Sequence, residues 1–371
     1  MLRSKEQEKG HEMRLHDEFT LKATSAGWPD SGPKVLVDAQ QTRSMPKFLK
    51  AADLHVHTYY SEDVLPAPSN DPIRLYAEAR RRGLQFISFT DHETMDAYDR
   101  VGWQREGLVP GVELSILDRR NVGHTIHVNV YTLNQGQFRT LRELASRKRD
   151  LETFLSFLAS ERLPHTYNHP FWFERGEKPN IRAVLDVAKI FPVIEYNRGR
   201  TRSLNRLALA LADHYGKGIV ANSDSHTGRT LGLVRTYAAG ETFEEYFDNV
   251  RTGKSWILAQ DMTIRGLVEE ANEWIRQFFA RHPSRANPEA VPSELGPKPL
   301  GWLLGLRRRD GLLGDNLLWR TLERCLYALS NSAVIQSLYV RSQEMLALRV
   351  LKQLPILLAP YSLARDATFL L

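Results

Sequence analysis

The chain has 371 residues, of which 42% are hydrophobic and 25% charged, a balance that fits a globular protein with two domains or one large domain and an appendage. Its single cysteine, Cys325, excludes intramolecular disulfides, no stretch approaches the ~18 consecutive apolar residues of a membrane span, and the charged start MLRSKEQEKGHEMRLHDEF lacks the apolar run of a secretory signal, so a cytoplasmic location is expected. The 50 Lys and Arg against 44 Asp and Glu leave a net charge of +6, which favours anionic partners such as phosphates, nucleic acids or acidic lipid without specifying a mechanism.

Residues 1–49 read as a polar lead-in. Short apolar runs follow, alternating with amphipathic stretches. Strands are predicted at 51–56 (AADLHV), 84–90 (LQFISFT), 108–115 (LVPGVELS), 124–133 (HTIHVNVYTL), 192–197 (PVIEYN) and 217–223 (KGIVANS). A helix over IRLYAEARRR is stopped by Gly83. Phe138, Leu141, Leu144, Leu151, Phe154, Leu155 and Leu158 recur at helical spacing and predict one long helix, and SLNRLALALADHY predicts another, ended by Gly216. This alternation implies βα units and a mainly parallel sheet, open or closed into a barrel. It fades after SWILAQ (255–260). A helix over IRGLVEEANEWIRQFF, a proline-rich linker near 282–301 and a leucine-rich helical tail complete the chain. The RRR runs at 80–82 and 307–309 and the RKR at 147–149 read as solvated faces. The uncharged QLPILLAPYSLA near the end is too short to span a bilayer and reads as a cover for the domain or a dimer surface, with a seat on a membrane surface as the alternative.

Metal-competent side chains gather where the predicted strands end. His55 and His57 lie two residues apart, which in an extended segment puts them on one face, and Glu62 and Asp63 follow. TDH brings Asp91 and His92, GVELS brings Glu113, and HTIHVNV brings His124 and His127. His169 closes a Tyr-Asn-His-Pro run, and Asp224 and His226 follow the strand KGIVANS directly. Taken singly, each is an ordinary loop residue. Six such coincidences at the strand ends, where parallel α/β sheets build their sites, point to a cluster of divalent metals. Imidazoles and carboxylates without thiolate suit zinc, manganese or iron.

In order, DLHVHT…SED, FTDHETMDAY, PGVELS, NHP and NSDSHTG resemble the PHP (polymerase and histidinol phosphatase) family of metal-dependent phosphoesterases, over residues 50–260. The resemblance implies a distorted (β/α)7 barrel, with 261–371 as a helical C-terminal extension. It also implies a site of three divalent ions. His55, His57, Glu113 and Asp224 would hold the first, Glu113 would bridge to a second bound by His127 and His169, and Asp63, His92 and His226 would hold the third. Ser61-Glu62-Asp63 departs from the family's usual Ser-Asp-Gly, so Glu62 stands as the alternative to Asp63. His127 is preferred to His124, which is expected behind the ligands or at the surface.

The activity implied is hydrolysis of a phosphoester by a hydroxide bridging the metals, with His55, His57, Glu113, Asp224 and His226 carrying catalysis. Arg198, Arg200, Arg229 and Arg175, which follow strand ends or motif segments, are the candidate substrate-binding cations. Phe171, Trp172 and Phe173 are candidates for stacking a nucleobase or for packing. The expected partner is a small phosphorylated substrate, a nucleotide or a single-stranded nucleic-acid end, with a homo-oligomer through the C-terminal helices as a further expectation. Two other readings compete: a non-catalytic PHP module serving structure or partner binding, and an amidohydrolase-type metal hydrolase, which also uses an HxH strand.

Overall fold

The computed structural model describes residues 34–36, 42, 45–174, 176–280 and 317–358. Arg175, the 307–309 run, the proline-rich linker and most of the lead-in lie outside the described residues. The strands, in chain order, are β1 (Lys34–Leu36), β2 (Lys50–Val56), β3 (Phe86–Phe89), β4 (Gly111–Leu117), β5 (Thr125–Tyr131), β6 (His165–Tyr167), β7 (Val193–Asn197), β8 (Gly218–Asn222), β9 (Arg235–Ala238) and β10 (Ser255–Leu258). They form two five-stranded sheets, ordered β1-β10-β9-β2-β3 and β4-β5-β6-β7-β8.

The expected mainly parallel barrel is corrected in two ways. β4 pairs antiparallel with β5, and β5 with β6, while β6, β7 and β8 run parallel. Residues 118–124 between β4 and β5 are too few for a parallel crossover, which needs a dozen or more. Nor does a continuous ladder close the ring. The sheets meet through isolated parallel bridges, Val56 to Ser225 on one side and Ile87 to Leu108 and His92 to Glu113 on the other. In the second seam the buried Tyr98 hydroxyl stands in for ladder bonds. It lies 2.7 and 2.8 Å from the carbonyls of Phe89 and Val109 and accepts the amides of Phe89 and Gly111 at 3.0 and 2.8 Å.

The helices are α1 (Pro72–Arg81), α2 (Asp96–Val101), α3 (Gln135–Glu143), α4 (Leu151–Ser160), α5 (Ala183–Ile190), α6 (Arg202–His214), α7 (Phe243–Arg251), α8 (Ile264–Phe279), α9 (Leu317–Ser330) and α10 (Ala333–Gln353). Local chemistry sets their ends. Asp71 accepts the Ile73 amide at 2.8 Å with Pro72 in the first position, the favoured start. The long helix expected over 138–158 is two. A π turn over Leu144–Lys148 leads to Arg149 at φ +54°, and Asp150 then caps α4 by accepting the Thr153 amide.

The main core runs between the sheets and their helices, and Ala347, Val350, Leu354 and Leu357 of the C-terminal segment belong to it. Ser203 of α6 donates to Glu344 of α10 at 2.5 Å. Of the basic run at 80–82, expected to be solvated, Arg80 and Arg82 are partly buried and donate to the carbonyls of Leu84 and Leu231. No helix among the described residues is long and apolar enough to cross a membrane. β7 and β8 are buried on both faces, and β2 nearly so. Their polar members, Asp53, His55, Glu195, Asn197 and Asn222, must therefore satisfy one another or a ligand.

Candidate metal centre

On β2, Asp53 and His55 share a face, and His57 continues it beyond the strand end. Asp53 accepts the amides of Ser223 and Gly232 at 3.0 and 2.7 Å, which ties down the chain after β8. Across the first seam the Asp224 amide donates to the His55 carbonyl at 2.9 Å, and the His57 amide to that of Ser225 at 3.0 Å. These bonds set Asp224 against both rings. Asp224 and His169 hold left-handed backbone, at φ +50° and +26°, a strained conformation that persists only where the surroundings enforce it.

The protons around the two histidines can be placed. His55 Nδ1 lies 2.7 Å from Glu195 Oε1, and a carboxylate only accepts, so Nδ1 carries a proton. His57 Nδ1 lies 3.1 Å from Ser61 Oγ, whose proton goes to Asp63 Oδ1 at 2.8 Å, so His57 Nδ1 carries one too. Burial works against charge on His55, but Glu113, Asp224 and Glu195 hold it well above the ordinary imidazole range. The two Nε2 atoms are 3.0 Å apart. Each is 3.1–3.4 Å from Glu113 Oε2 and from Asp224 Oδ1. A proton would satisfy one of these four contacts. One cation at their centre satisfies all four. Donors bound to one divalent ion at ~2.0–2.1 Å sit roughly 3.3–3.4 Å from one another, close to the separations of the two imidazole nitrogens from each carboxylate oxygen.

The other oxygen of Glu113 continues the cluster. Glu113 Oε1 is 3.3 Å from both His127 Nδ1 and His169 Nε2 and accepts Asn168 Nδ2 at 2.8 Å. His127 Nε2 faces Glu174 at 3.0 Å, which leaves its buried Nδ1 turned towards Glu113. Beyond His57, Asp63 Oδ2 lies 2.7 Å from His226 Nε2 and 3.4 Å from His92 Nε2. Four overlapping groups result: His57, Asp63, His92 and His226; His55, His57 and Asp224; His55, Glu113 and His169; and His92, Glu113 and His127. All nine expected ligands come together. The overlaps go beyond the expected grouping, since His92 also falls with Glu113 and His127, and His55 with Glu113 and His169, while Glu113 Oε1 meets both His127 and His169 as expected. Glu62 is exposed and outside every group, and Asp63 is inside.

The electrostatics are those of a cluster that wants positive charge. Burial works to raise the Glu113 and Asp224 carboxyls, yet the surrounding histidines hold both well below the carboxylate range. Burial works to lower the imidazoles, yet Asp63 and Glu113 hold His92 up at about 10, Glu113 and Glu174 hold His127 at about 9, and Asp63 and Asp224 hold His226 at about 9. His169 goes the other way, lowered by burial against the pull of Glu113 and with the help of Arg200.

The candidate substrate cations divide. Arg200 lies with its guanidinium 4.1 Å from the Trp172 ring centre, and its buried Nε has no hydrogen-bond partner among the described residues. Arg198 is buried and faces Glu270 and Glu269 of α8. Arg229 is paired with Glu269. Arg175 lies outside the described residues. Phe171 is buried and Trp172 partly exposed, while Phe173 packs edge-on against His124 at 4.9 Å. His124 is thus a buried ring outside the ligand groups, not a surface one, and neither of its nitrogens is hydrogen-bonded among the described residues.

The structure adds groups that the strand-end pattern does not reveal. Glu195, fully buried in mid-strand, takes the protons of His55 Nδ1 and the His169 amide. Asn197 Nδ2 donates to Asp224 Oδ2 at 3.0 Å. Asp91, which the strand-end pattern did bring out, belongs to none of the ligand groups and accepts the amide and hydroxyl of Thr58 at 2.6 and 2.7 Å, fixing the turn after His57. One signal was available: an acid inside the apolar run PVIEYN has no inexpensive place in a doubly buried strand.

A family model described as PHP-associated matches residues 202–255, which include α6, β8, Asp224 and His226. No curated protein matches the chain. Among solved structures, PsfC from Pseudomonas syringae is similar at 19% identity and a TM-score of 0.45, over 60% of this chain and 96% of its own. A two-domain Bacteroides vulgatus protein containing a predicted PHP-like metal-dependent phosphoesterase is similar at 16% identity and TM-score 0.43, over 67% and 74%. The lesion-specific endonuclease EndoQ from Pyrococcus furiosus is similar at 17% identity and TM-score 0.40, over 56% and 57%. The PHP-associated match agrees with the resemblance carried by the ordered motifs and is consistent with a PHP-family protein.

Proposed function

We propose that the chain is a PHP-type phosphoesterase, a hydrolase whose residues 50–260 form the catalytic domain and 261–371 a helical extension. The observation that carries this reading is that His55 Nε2 and His57 Nε2, 3.0 Å apart, each lie 3.1–3.4 Å from both Glu113 Oε2 and Asp224 Oδ1. When bound there, divalent ions lower the pKa of water and neutralise charge on phosphoryl oxygens. Glu113 presents one oxygen to each half of the cluster, so more than one ion is expected, with Asp63, His92 and His226 holding the ion nearest solvent. Zinc, manganese and iron suit these nitrogen and oxygen donors.

The chain's own residues do the rest. Glu195 keeps the His55 proton on Nδ1 and so keeps Nε2 free to bind. Arg200, whose guanidinium lies 4.1 Å from the Trp172 ring centre, offers a planar donor to a phosphoryl oxygen. Arg198 adds positive charge behind it. Water adds to phosphorus and the ester P–O bond breaks, with a phosphomonoester, a nucleotide or a single-stranded end as substrate. The test is a phosphatase and nuclease panel on protein loaded separately with manganese, iron and zinc, beside His57→Ala. Turnover in the parent protein and its loss in the variant are expected. An equally active His57→Ala protein, or a parent that binds metal and turns over nothing, would overturn the catalytic assignment.

A further inference from the structure

The turn after β4 and the break between α3 and α4 bring two basic runs together. Leu117, Asp118, Arg119, Arg120, Asn121, Lys148, Arg149 and Asp150 line a concavity of about 290 Å³. The acids in it are spent on backbone. Asp118, 2% exposed, accepts the amides of Arg120 and Asn121 at 3.1 and 2.9 Å and reaches across to the Leu151 amide at 3.2 Å, stitching the two segments together. Asp150 caps α4 through the Thr153 amide. The cations are left over. Arg119, Arg120, Lys148 and Arg149 are exposed, and no ion pair joins any of them to a carboxylate among the described residues. Some other exposed basic side chains are matched within one helix, as Arg81 is by Glu78, Arg251 by Asp248 and Arg276 by Glu273.

The place of this patch relative to the metal centre is set by β4. Glu113, Ser115 and Leu117 share one strand face, so the concavity continues the face that carries Glu113. Four residues of strand span about 13 Å. The centre itself is buried, with His55 and His57 at 0% and Glu113 at 1% exposure, so what reaches it must be a narrow end and not a duplex face.

We infer that the concavity formed by Arg119, Arg120, Lys148 and Arg149 is an exosite for the phosphodiester backbone of a single-stranded nucleic acid whose end enters the metal centre. This deepens the proposed phosphoesterase reading and rests on it for the second half of the statement. The cations neutralise phosphates upstream of the reacting one, while Asp118 holds the two segments in register.

The test uses the full chain with metal chelated, a fluorescein-labelled 20-nucleotide oligothymidylate and fluorescence anisotropy over a sodium chloride series. In the variant carrying R119A, R120A, K148A and R149A, affinity at low salt falls at least about ten-fold. The slope of log affinity against log salt falls by about 0.7 for each phosphate contact removed. The matched variant R119K, R120K and R149K retains binding and salt dependence, which separates lost charge from lost fold. Hydrolysis of p-nitrophenyl phosphate by the metal-loaded proteins reads the centre alone and is unchanged in the alanine variant. A binding difference without any p-nitrophenyl phosphate turnover would uphold the exosite and remove the phosphoesterase reading. Equal affinity and slope in parent and alanine variant would overturn the exosite, as would binding to phosphatidylserine vesicles but not to the oligonucleotide.

Discussion

Glu195→Gln is the most discriminating single substitution, because it changes one atom and leaves every expected ligand in place. Glu195 is fully buried and accepts from four donors. Oε1 takes His55 Nδ1 at 2.7 Å and Asn222 Nδ2 at 2.9 Å; Oε2 takes the His169 amide at 3.0 Å and Asn197 Nδ2 at 3.1 Å. A carboxylate satisfies all four. An amide in either orientation turns an NH2 towards two donors. If the NH2 faces His55, the imidazole is pushed to the tautomer with its proton on Nε2, the nitrogen that must bind metal. Outer partners of metal-binding histidines are worth about 10–100-fold in metal affinity, equal to about 1.4–2.7 kcal/mol. Titration of chelator-treated protein with manganese, following the free ion by electron paramagnetic resonance, reads the affinity directly. The expected result is a loss in that range for Glu195→Gln, with Glu195→Asp, which keeps the charge, falling in between. Unchanged affinity in a folded Glu195→Gln protein would refute the assignment of the His55 proton and the reasoning built on it.

Tyr98→Phe removes the hydroxyl that bridges β3 and β4, leaving buried amides and carbonyls of Phe89, Val109 and Gly111 short of a partner; a loss of about 2–4 kcal/mol is expected, read by urea denaturation with metal chelated. In metal-free protein the folded-state values of about 10 for His92 and about 9 for His127 and His226 exceed the ~6.5 of an unfolded histidine. The stability from these groups is thus complete below about pH 6.5 and is lost as pH rises through 9 to 10. The melting temperature of chelated protein should fall across pH 7–10, and that of metal-loaded protein should fall less; a flat profile for the chelated form would contradict the charge assignment. Arg200→Ala should lower kcat/KM for p-nitrophenyl phosphate about 10–100-fold with metal content unchanged, as expected for a lost charge-assisted contact. An unchanged kcat/KM would make Arg200 a packing partner of Trp172 only.

Much of the centre was legible because its ligands sit where apolar runs stop: His57, His92, Asp224 and His226 each follow a strand whose hydrophobicity announces it. Glu195 escaped that pattern because it lies within its strand, and its partners arrive from β2 and β8, far away in sequence. The alternation of strands and helices pointed to the α/β class, but pairing direction was not legible. β5 reads the same whether it runs with or against β4, and only the shortness of 118–124 forces the hairpin. β6, with three residues, is too short to carry a period, and β9 is a half-buried pairing strand with little apolar character. The break in the predicted 138–158 helix depends on Arg149 adopting a left-handed conformation, for which an arginine gives no local signal. The same break turns a basic run that reads as an ordinary solvated face into one wall of a concavity.

The central claim is that the cluster of histidines and carboxylates around Glu113 holds divalent metal. Elemental analysis of the full-length protein, saturated with zinc or manganese and freed of excess by gel filtration, tests it most directly when run beside Glu113→Ala. The account predicts more than one ion per chain in the parent and a large loss in Glu113→Ala, because that carboxylate reaches both halves of the cluster. A parent protein that retains no metal, or a folded Glu113→Ala protein that retains as much, would contradict it.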